Sequence, residues 1–542
     1  MAESRDAGRY LWWQRGVVYQ VYPRSFKDSD GDGIGDLPGI LSRLDYLRWL
    51  GVDALWLSPM YPSPMKDFGY DVADYTAVDP VFGTLEDFDR LVKAAHAREL
   101  RVILDFVPNH TSDQHAWFRE SRASRASAKR DWYLWRDPAP GGGPPNNWLS
   151  CFGGSAWQLD DATGQYYYHA FLPEQPDLNW RNPEVVDAML GVLRFWLDRG
   201  VDGFRIDVLW HLIKDDRFGD NPPNPAWQPG MDPYQAVVPV NTTDRPEVQD
   251  LVRKMRGLLD AYSERVLIGE IYLPVERLVT YYGADLSGAH LPFNFQLIRA
   301  PWDARHIEAL IREYERLLPE GAWPNWVLGN HDQHRIASRV GTAQARVAAM
   351  LLLTLRGTPT LYYGDEIGMR DVPIPPARVQ DPFERNVPGQ GLGRDPERTP
   401  MQWSGAAQAG FTTGEPWLPV ADDFAQVNVE AQRDDARSML TLYARLIALR
   451  RGEPALEVGR FEALPATDSV LVYRRSARAQ ESSFLVALNL GHHPRTVQLP
   501  EAATLVLSTY LDRAEERPGR ALELRADEGV ILRLPRVPHA DR

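Results

Sequence analysis

Three acids close three apolar, strand-like runs: Asp207 in "GFRIDV", Glu270 in "LIGEIY" and Asp332 in "LGNHDQHR". Cleaving a glycosidic bond takes two carboxyl groups in one pocket. One protonates the leaving oxygen; the other attacks the anomeric carbon or activates water. Side chains alternate along a strand, so Gly203, Arg205 and Asp207 share one face. Arg205 then keeps Asp207 ionised and oriented. Asp207 reads as nucleophile and Glu270 as acid/base, its pKa raised by the nearby negative charge. His110 and His331 offer N–H donors to sugar hydroxyls without adding permanent cations.

A second pattern is the turn "DSDGDGIGD", where Asp28, Asp30, Asp32 and Asp36 alternate with small residues and the Ile34 carbonyl fills the gap. So many carboxylates in one turn repel unless solvated or neutralised, and a hard cation with oxygen ligands neutralises them. Gly39 stands where an EF-hand loop ends in Glu, so that loop type does not apply. A solvated turn holding no ion is the alternative. Cys151 is the single cysteine, so no intramolecular disulfide forms, and nothing around it in sequence lowers its pKa.

Elements must bring these groups together. Eight strand-like runs begin at Val17, Val52, Arg101, Gly203, Val266, Leu291, Asn325 and Thr358, and amphipathic helical stretches separate most of them. That alternation predicts a (β/α)8 barrel, whose polar residues gather at the C-terminal strand ends. No Gly-rich dinucleotide loop follows the first strand, which argues against a doubly wound sheet. The barrel is expected over 1–110 and 180–455. Residues 111–179, with "DPAPGGGPPNNW" and "GQYYYHAF", form an inserted domain over the barrel mouth. Its Arg119, Arg122, Arg125 and Arg130 read as a solvated helix face. From 456 to 542, short β-branched and Leu-rich runs predict an antiparallel β domain, read as a sandwich.

Composition narrows the class. A net charge of −14 offers no basic face for nucleic acid. No apolar run is long enough to span a membrane and the N-terminus lacks a signal-peptide core, so a cytoplasmic protein is expected. Trp, Tyr and Phe make up 11% of the chain, and those clustered in loop-like stretches suit the apolar face of a sugar ring.

The blocks "GFRIDV", "LIGEIY", "LGNHDQHR", "VILDFVPNHTS" and "YPRSFKDSDGDGIGDLPGI" resemble those of the α-amylase superfamily of glycoside hydrolases, family 13. "GRDPERTPMQW", with "PFERN" upstream, is similar to its α-glucosidase/oligo-1,6-glucosidase branch. The resemblance covers essentially the whole chain. It implies a retaining, exo-acting α-glucosidase on short α-glucosides such as maltose and isomaltose, with sucrose a further candidate. Asp332 would grip the C2 and C3 hydroxyls of the distorted glucose. Tyr70 would stack on its ring, and Asp71 with Arg398 would close the far end of the pocket. Val208, directly after the nucleophile, is associated with α-1,6 linkages. The Asp-rich turn resembles the branch's structural Ca2+ (or Mg2+) site, and no organic cofactor is implied. A monomer or weak homo-oligomer is expected. An α-glucosyltransferase or sucrose-acting enzyme is the alternative, because transfer and hydrolysis share the covalent intermediate. A non-enzymatic carbohydrate-binding protein would not need these acids intact.

Overall fold

The computed structural model describes residues 10–467, 469–477 and 483–535; the first nine residues, read above for a leader, lie outside them. Three strands come first: β1 (Val18–Val21), β2 (Ala54–Leu57) and β3 (Arg101–Phe106). An excursion follows, with β4 (Trp135–Arg136), β5 (Trp157–Asp160) and β6 (Gln165–Tyr168). Then come β7 (Gly203–Ile206), β8 (Val266–Gly269), β9 (Leu291–Pro292), β10 (Asn325–Val327) and β11 (Thr358–Tyr362).

Eight of these pair in parallel in the order β10-β11-β1-β2-β3-β7-β8-β9. The seam between β9 and β10 is closed by a side chain: Asn325 donates to the Pro292 carbonyl at 2.6 Å and accepts from the Asn294 N–H at 2.9 Å. An amide can do both because it carries a donor and an acceptor. Inside the barrel, Val18, Ala54, Trp56, Ile103, Val266, Ile268 and Leu291 pack together, while the alternate strand residues meet the helices. Helix Leu85–His96 starts on a Thr84/Asp87 capping box, and helix Pro183–Asp198 on Asn182. Such caps fix where each helix enters after its loop.

The excursion forms the antiparallel sheet β4-β6-β5, tied to the barrel by the bridge His110–Asp177 and closed on itself by Tyr133–Leu178. The expected solvated arginine face is met in part: Arg119, Arg122 and Arg125 are exposed, but only Arg119 and Arg122 lie on the helix. That helix ends at Arg122; Arg122 binds Asp160 at 2.8 Å, and the Arg130 guanidinium lies 3.4 Å from the Trp135 ring centroid. Arg122 and Arg130 are partnered within the excursion because its short strands present carboxylates and aromatics to them.

Seven further strands follow the last barrel helices: β12 (Arg460–Leu464), β13 (Val470–Ser476), β14 (Ser483–Asn489), β15 (Arg495–Gln498), β16 (Thr504–Ser508), β17 (Ala521–Leu524) and β18 (Gly529–Arg533). They make an antiparallel five-stranded sheet facing the two-stranded β15-β17. Leu485, Leu505, Leu522, Leu524 and Leu532 fill the space between them, giving a sandwich of unequal halves.

Candidate active site

Arg205, fully buried on β7, organises the centre. One nitrogen, Nη1, donates to Asp207 and to Asp105 of β3, both at 2.7 Å. Nη2 lies 2.8 Å from Glu270, just past β8. Three carboxylates thus face one guanidinium, leaving an excess of negative charge. Burial, and then mutual repulsion, raise Asp207 and Glu270 above the usual carboxylate range against the opposing pull of Arg205. Each therefore holds a proton to higher pH than an isolated carboxyl does. Asp332 behaves oppositely. Burial alone would raise it, but His331, Arg394 and Arg398 outweigh that and hold it ionised well below the usual range.

The chain reverses sharply at Val208. Its φ of 37° and ψ of 46° are left-handed, a strained conformation for a β-branched residue. This kink turns Val208 into the pocket, where strict alternation would have pointed it away from Asp207. It also aims the Val208 N–H at Glu270 Oε2, 2.8 Å away.

His331 stacks on Tyr70, with ring centroids 5.2 Å apart and 4° between planes. Its Nδ1 accepts from the Gln20 side-chain amide at 2.8 Å. The proton therefore sits on Nε2, 3.3 Å from Asp332. Burial, aided by Arg398, pushes its pKa down and keeps it neutral. His110 is pushed down to about 4 by burial. Its Nε2–H donates to the Tyr70 carbonyl at 3.0 Å and its Nδ1 faces the Asn109 amide at 3.2 Å. The expected free donor at His110 is thus spent on holding the Tyr70 segment.

The cavity around these groups has a volume of about 790 Å³ and is walled by Phe152, Phe171, Trp210, His211 and Tyr272. That suits a disaccharide with apolar ring faces. A separate cavity of about 350 Å³, between the excursion and the loop after β7, contains none of the acids.

A catalytic-domain model of the α-amylase family matches residues 20–459. The chain belongs to the α-amylase family. It is 42% identical to a probable α-glucosidase of Rhizobium meliloti, covering 90% of this chain and 91% of that one. It is 38% identical to an oligo-1,6-glucosidase of Heyndrickxia coagulans, covering 92% and 96%. Among solved structures, the α-glucosyl transfer enzyme XgtA superposes with a TM-score of 0.92 at 41% identity, covering 97% and 100%.

Within this α-amylase-family barrel, one expected pairing is corrected. Asp71 and Arg398 do not meet. Asp71 accepts from the Lys66 and Asp67 N–H groups at 2.9 and 3.0 Å and from Ser63 Oγ at 2.8 Å; burial raises its pKa to about 6. Arg398 is buried behind the pocket, donating to the His331 carbonyl at 2.7 Å and to Asp332 at 2.8 Å. The blind end is closed instead by Asp67 and Arg394, 2.7 Å apart. Arg394 is held in turn by Asp381 at 2.6 Å and reaches Asp332 at 3.2 Å. Asp71 has a supporting role: it fixes the turn that carries Asp67.

Asp67, Arg394, Asp381, Asp105 and Gln20 escaped the sequence reading. Arg394 carried a signal, since it opens the same "RDPER" block as Arg398. Carboxylate oxygens of Asp28, Asp30 and Asp32 lie within 4.8 Å of one another, a donor set that fits a hard cation. Asp36 lies outside that group: one oxygen caps helix Leu37–Leu41 through the Gly39 N–H and the other accepts from Ser29. Cys151 is half-buried, its thiol pushed up to about 12 by desolvation, and unsuited to nucleophilic chemistry.

Proposed function

We propose that this protein is a retaining, exo-acting α-glucosidase that removes terminal glucose from short α-glucosides. The observation that carries the proposal is one buried guanidinium shared by Asp207 and Glu270 in a cavity closed at one end by Asp67–Arg394. Carboxyls that share a guanidinium stand side by side, in keeping with the separation of about 5–5.5 Å that a retaining pair needs. The closed end admits only the non-reducing terminus.

In the first step Asp207 attacks C1 as the glycosidic bond breaks, and the proton on Glu270 passes to the leaving oxygen. In the second, Glu270 takes a proton from water, the water oxygen attacks C1, and the bond to Asp207 breaks. Asp332, ionised throughout, accepts hydroxyl protons of the distorted sugar. Neutral His331 donates from Nε2. Incubation with maltose, isomaltose, sucrose and p-nitrophenyl α-glucoside tests this: glucose should appear first as the α-anomer. A β-anomer as first product would reassign Asp207, and a folded protein inert on all four would end the proposal. Val208 on the pocket wall leads us to expect isomaltose turnover beside maltose.

A second reading, α-glucosyl transfer, is favoured by one observation: the solved relatives named for transfer or for trehalulose synthesis share this fold at 41% and 35% identity. Trisaccharides exceeding free glucose at high substrate would establish it. Under either reading, Asp28, Asp30 and Asp32, with the Ile34 carbonyl, would hold a structural Ca2+ or Mg2+ remote from the acids. Bound cation supplies charge neutralisation in that turn and nothing to bond cleavage. Chelation is therefore expected to lower the melting temperature while leaving the pH profile of still-folded enzyme unchanged. A cytoplasmic location fits the lone reduced thiol.

A further inference from the structure

Glu397 is almost wholly buried, at 2% exposure, and its Oε2 atom has no hydrogen-bond partner. A buried carboxylate oxygen without a donor is costly unless something neutralises it. Among the described residues the only basic side chain within 4 Å of this carboxylate is His334, whose Nδ1 lies 3.8 Å from Oε2. The same Nδ1 lies 2.8 Å from Asp371 Oδ2. Asp371 is itself oriented, its other oxygen accepting the Arg335 N–H at 2.9 Å. One nitrogen and two carboxylate oxygens thus converge, all within 4.8 Å of one another.

We propose that His334, Asp371 and Glu397 form a binding site for a divalent cation of the zinc class on the wall of the catalytic cavity. Bonds of about 2.0–2.2 Å in a tetrahedron separate ligand atoms by roughly 3.3 Å. The 2.8 and 3.8 Å spacings bracket that value, so small side-chain shifts complete the triangle. An imidazole among the donors selects Zn2+, Co2+ or Ni2+ over Ca2+ and Mg2+. This separates the site from the all-oxygen turn at Asp28. Three protein ligands leave a fourth position for water. Access is provided: His334 is half exposed, and both it and Glu397 line the cavity. The proposal does not depend on the glucosidase reading, since it concerns binding alone.

The test is titration of chelator-stripped full-length protein with Co2+, read by its visible absorption, and with Zn2+, read by calorimetry. One ion should bind with the spectrum of mixed nitrogen and oxygen ligation. His334→Ala and Glu397→Gln should each weaken binding by at least roughly 10-fold, while Asp30→Asn leaves the cobalt spectrum unchanged. His334 is half exposed, so its replacement does not threaten the fold, and melting curves verify this for each variant. Absence of binding up to millimolar ion would overturn the site. So would a cobalt spectrum that survives His334→Ala, or one lost in Asp30→Asn.

Discussion

At the scale of single residues, the site is an electrostatic problem that Arg205 solves incompletely. Three carboxylates share its charge; burial and then this shortfall raise both Asp207 and Glu270, and the proposed mechanism uses the retained proton on Glu270. Asp105 touches no expected sugar position; it binds Arg205, the Tyr70 hydroxyl at 2.9 Å and Trp56 Nε1 at 3.2 Å. Its charge raises the pKa of Glu270. Asp105→Asn removes that repulsion and frees more of Arg205 to stabilise ionised Glu270. Both effects have the same sign, so the alkaline limb of kcat/KM, set by loss of the Glu270 proton, should move to lower pH. An unmoved limb, or one moved upward, would detach Asp105 from the acid/base. Glu270→Gln should lose most activity on maltose, at least about 10²-fold, yet lose less on p-nitrophenyl α-glucoside, whose leaving group needs little protonation. Asp207→Asn should lose both equally. The comparison separates proton donor from nucleophile within one pair of substrates.

At the scale of elements, the excursion is positioned by a buried ion pair rather than by apolar packing alone. Lys214, in the loop after β7, donates to Asn109 Oδ1 at 2.7 Å and pairs with Asp177 at the end of the excursion. Asp177 also accepts from the Ala170 N–H at 2.7 Å and from the Asn109 amide at 2.8 Å. Three segments thus meet at one ammonium group. Replacing only the lysine leaves a buried carboxylate unpaired. Lys214→Met should cost about 3–5 kcal/mol, read as a lower denaturation midpoint. Adding Asp177→Asn should recover part of the loss, because the uncompensated charge is then gone. Additive losses in the double variant would show that the two side chains do not act on each other.

At the scale of the whole molecule, the barrel meets the start of the C-terminal segment through an arginine that binds backbone carbonyls instead of acids. Arg450 is buried at 1% exposure. It donates to the carbonyls of Leu353, Leu355 and Leu456 at 3.0–3.1 Å and to those of Gly357 and Glu457 at 2.5 and 3.1 Å. Two of these lie at the C-terminal end of helix Thr342–Thr354, where unpaired carbonyls need a donor. Arg450→Met should destabilise by more than about 3 kcal/mol, since several acceptors lose their partner at about 1–3 kcal/mol each. Arg450→Lys should restore only a fraction, having three donors in place of a planar fork. Equal stability of the two variants would refute the carbonyl account. If unfolding is irreversible, inactivation half-life at fixed temperature replaces the midpoint.

The sequence by itself determined the barrel, the excursion, the C-terminal β domain and the positions of Asp207, Glu270 and Asp332. The physical reason is local: a period of two, interrupted by helical stretches, fixes which residue ends each strand and which face it shares with Arg205. Tertiary structure alone decided which charges meet across the closed barrel. Asp67 and Arg394 are 327 residues apart, and each has a residue of its own type four positions on, Asp71 and Arg398. Composition cannot choose between such neighbours. Folding chooses, because Asp71 finds backbone N–H groups in its own turn and Arg398 is drawn under His331 and Asp332, leaving Asp67 and Arg394 to face each other. The role of Gln20 was hidden for the same reason: the nitrogen it fixes belongs to His331, 311 residues away and past the end of β10, which lies two strands from β1 in the sheet. Val208 lines the pocket through a left-handed turn that periodicity does not encode. Strand alternation is a rule about regular backbone, and the catalytic end of β7 is where that backbone stops being regular.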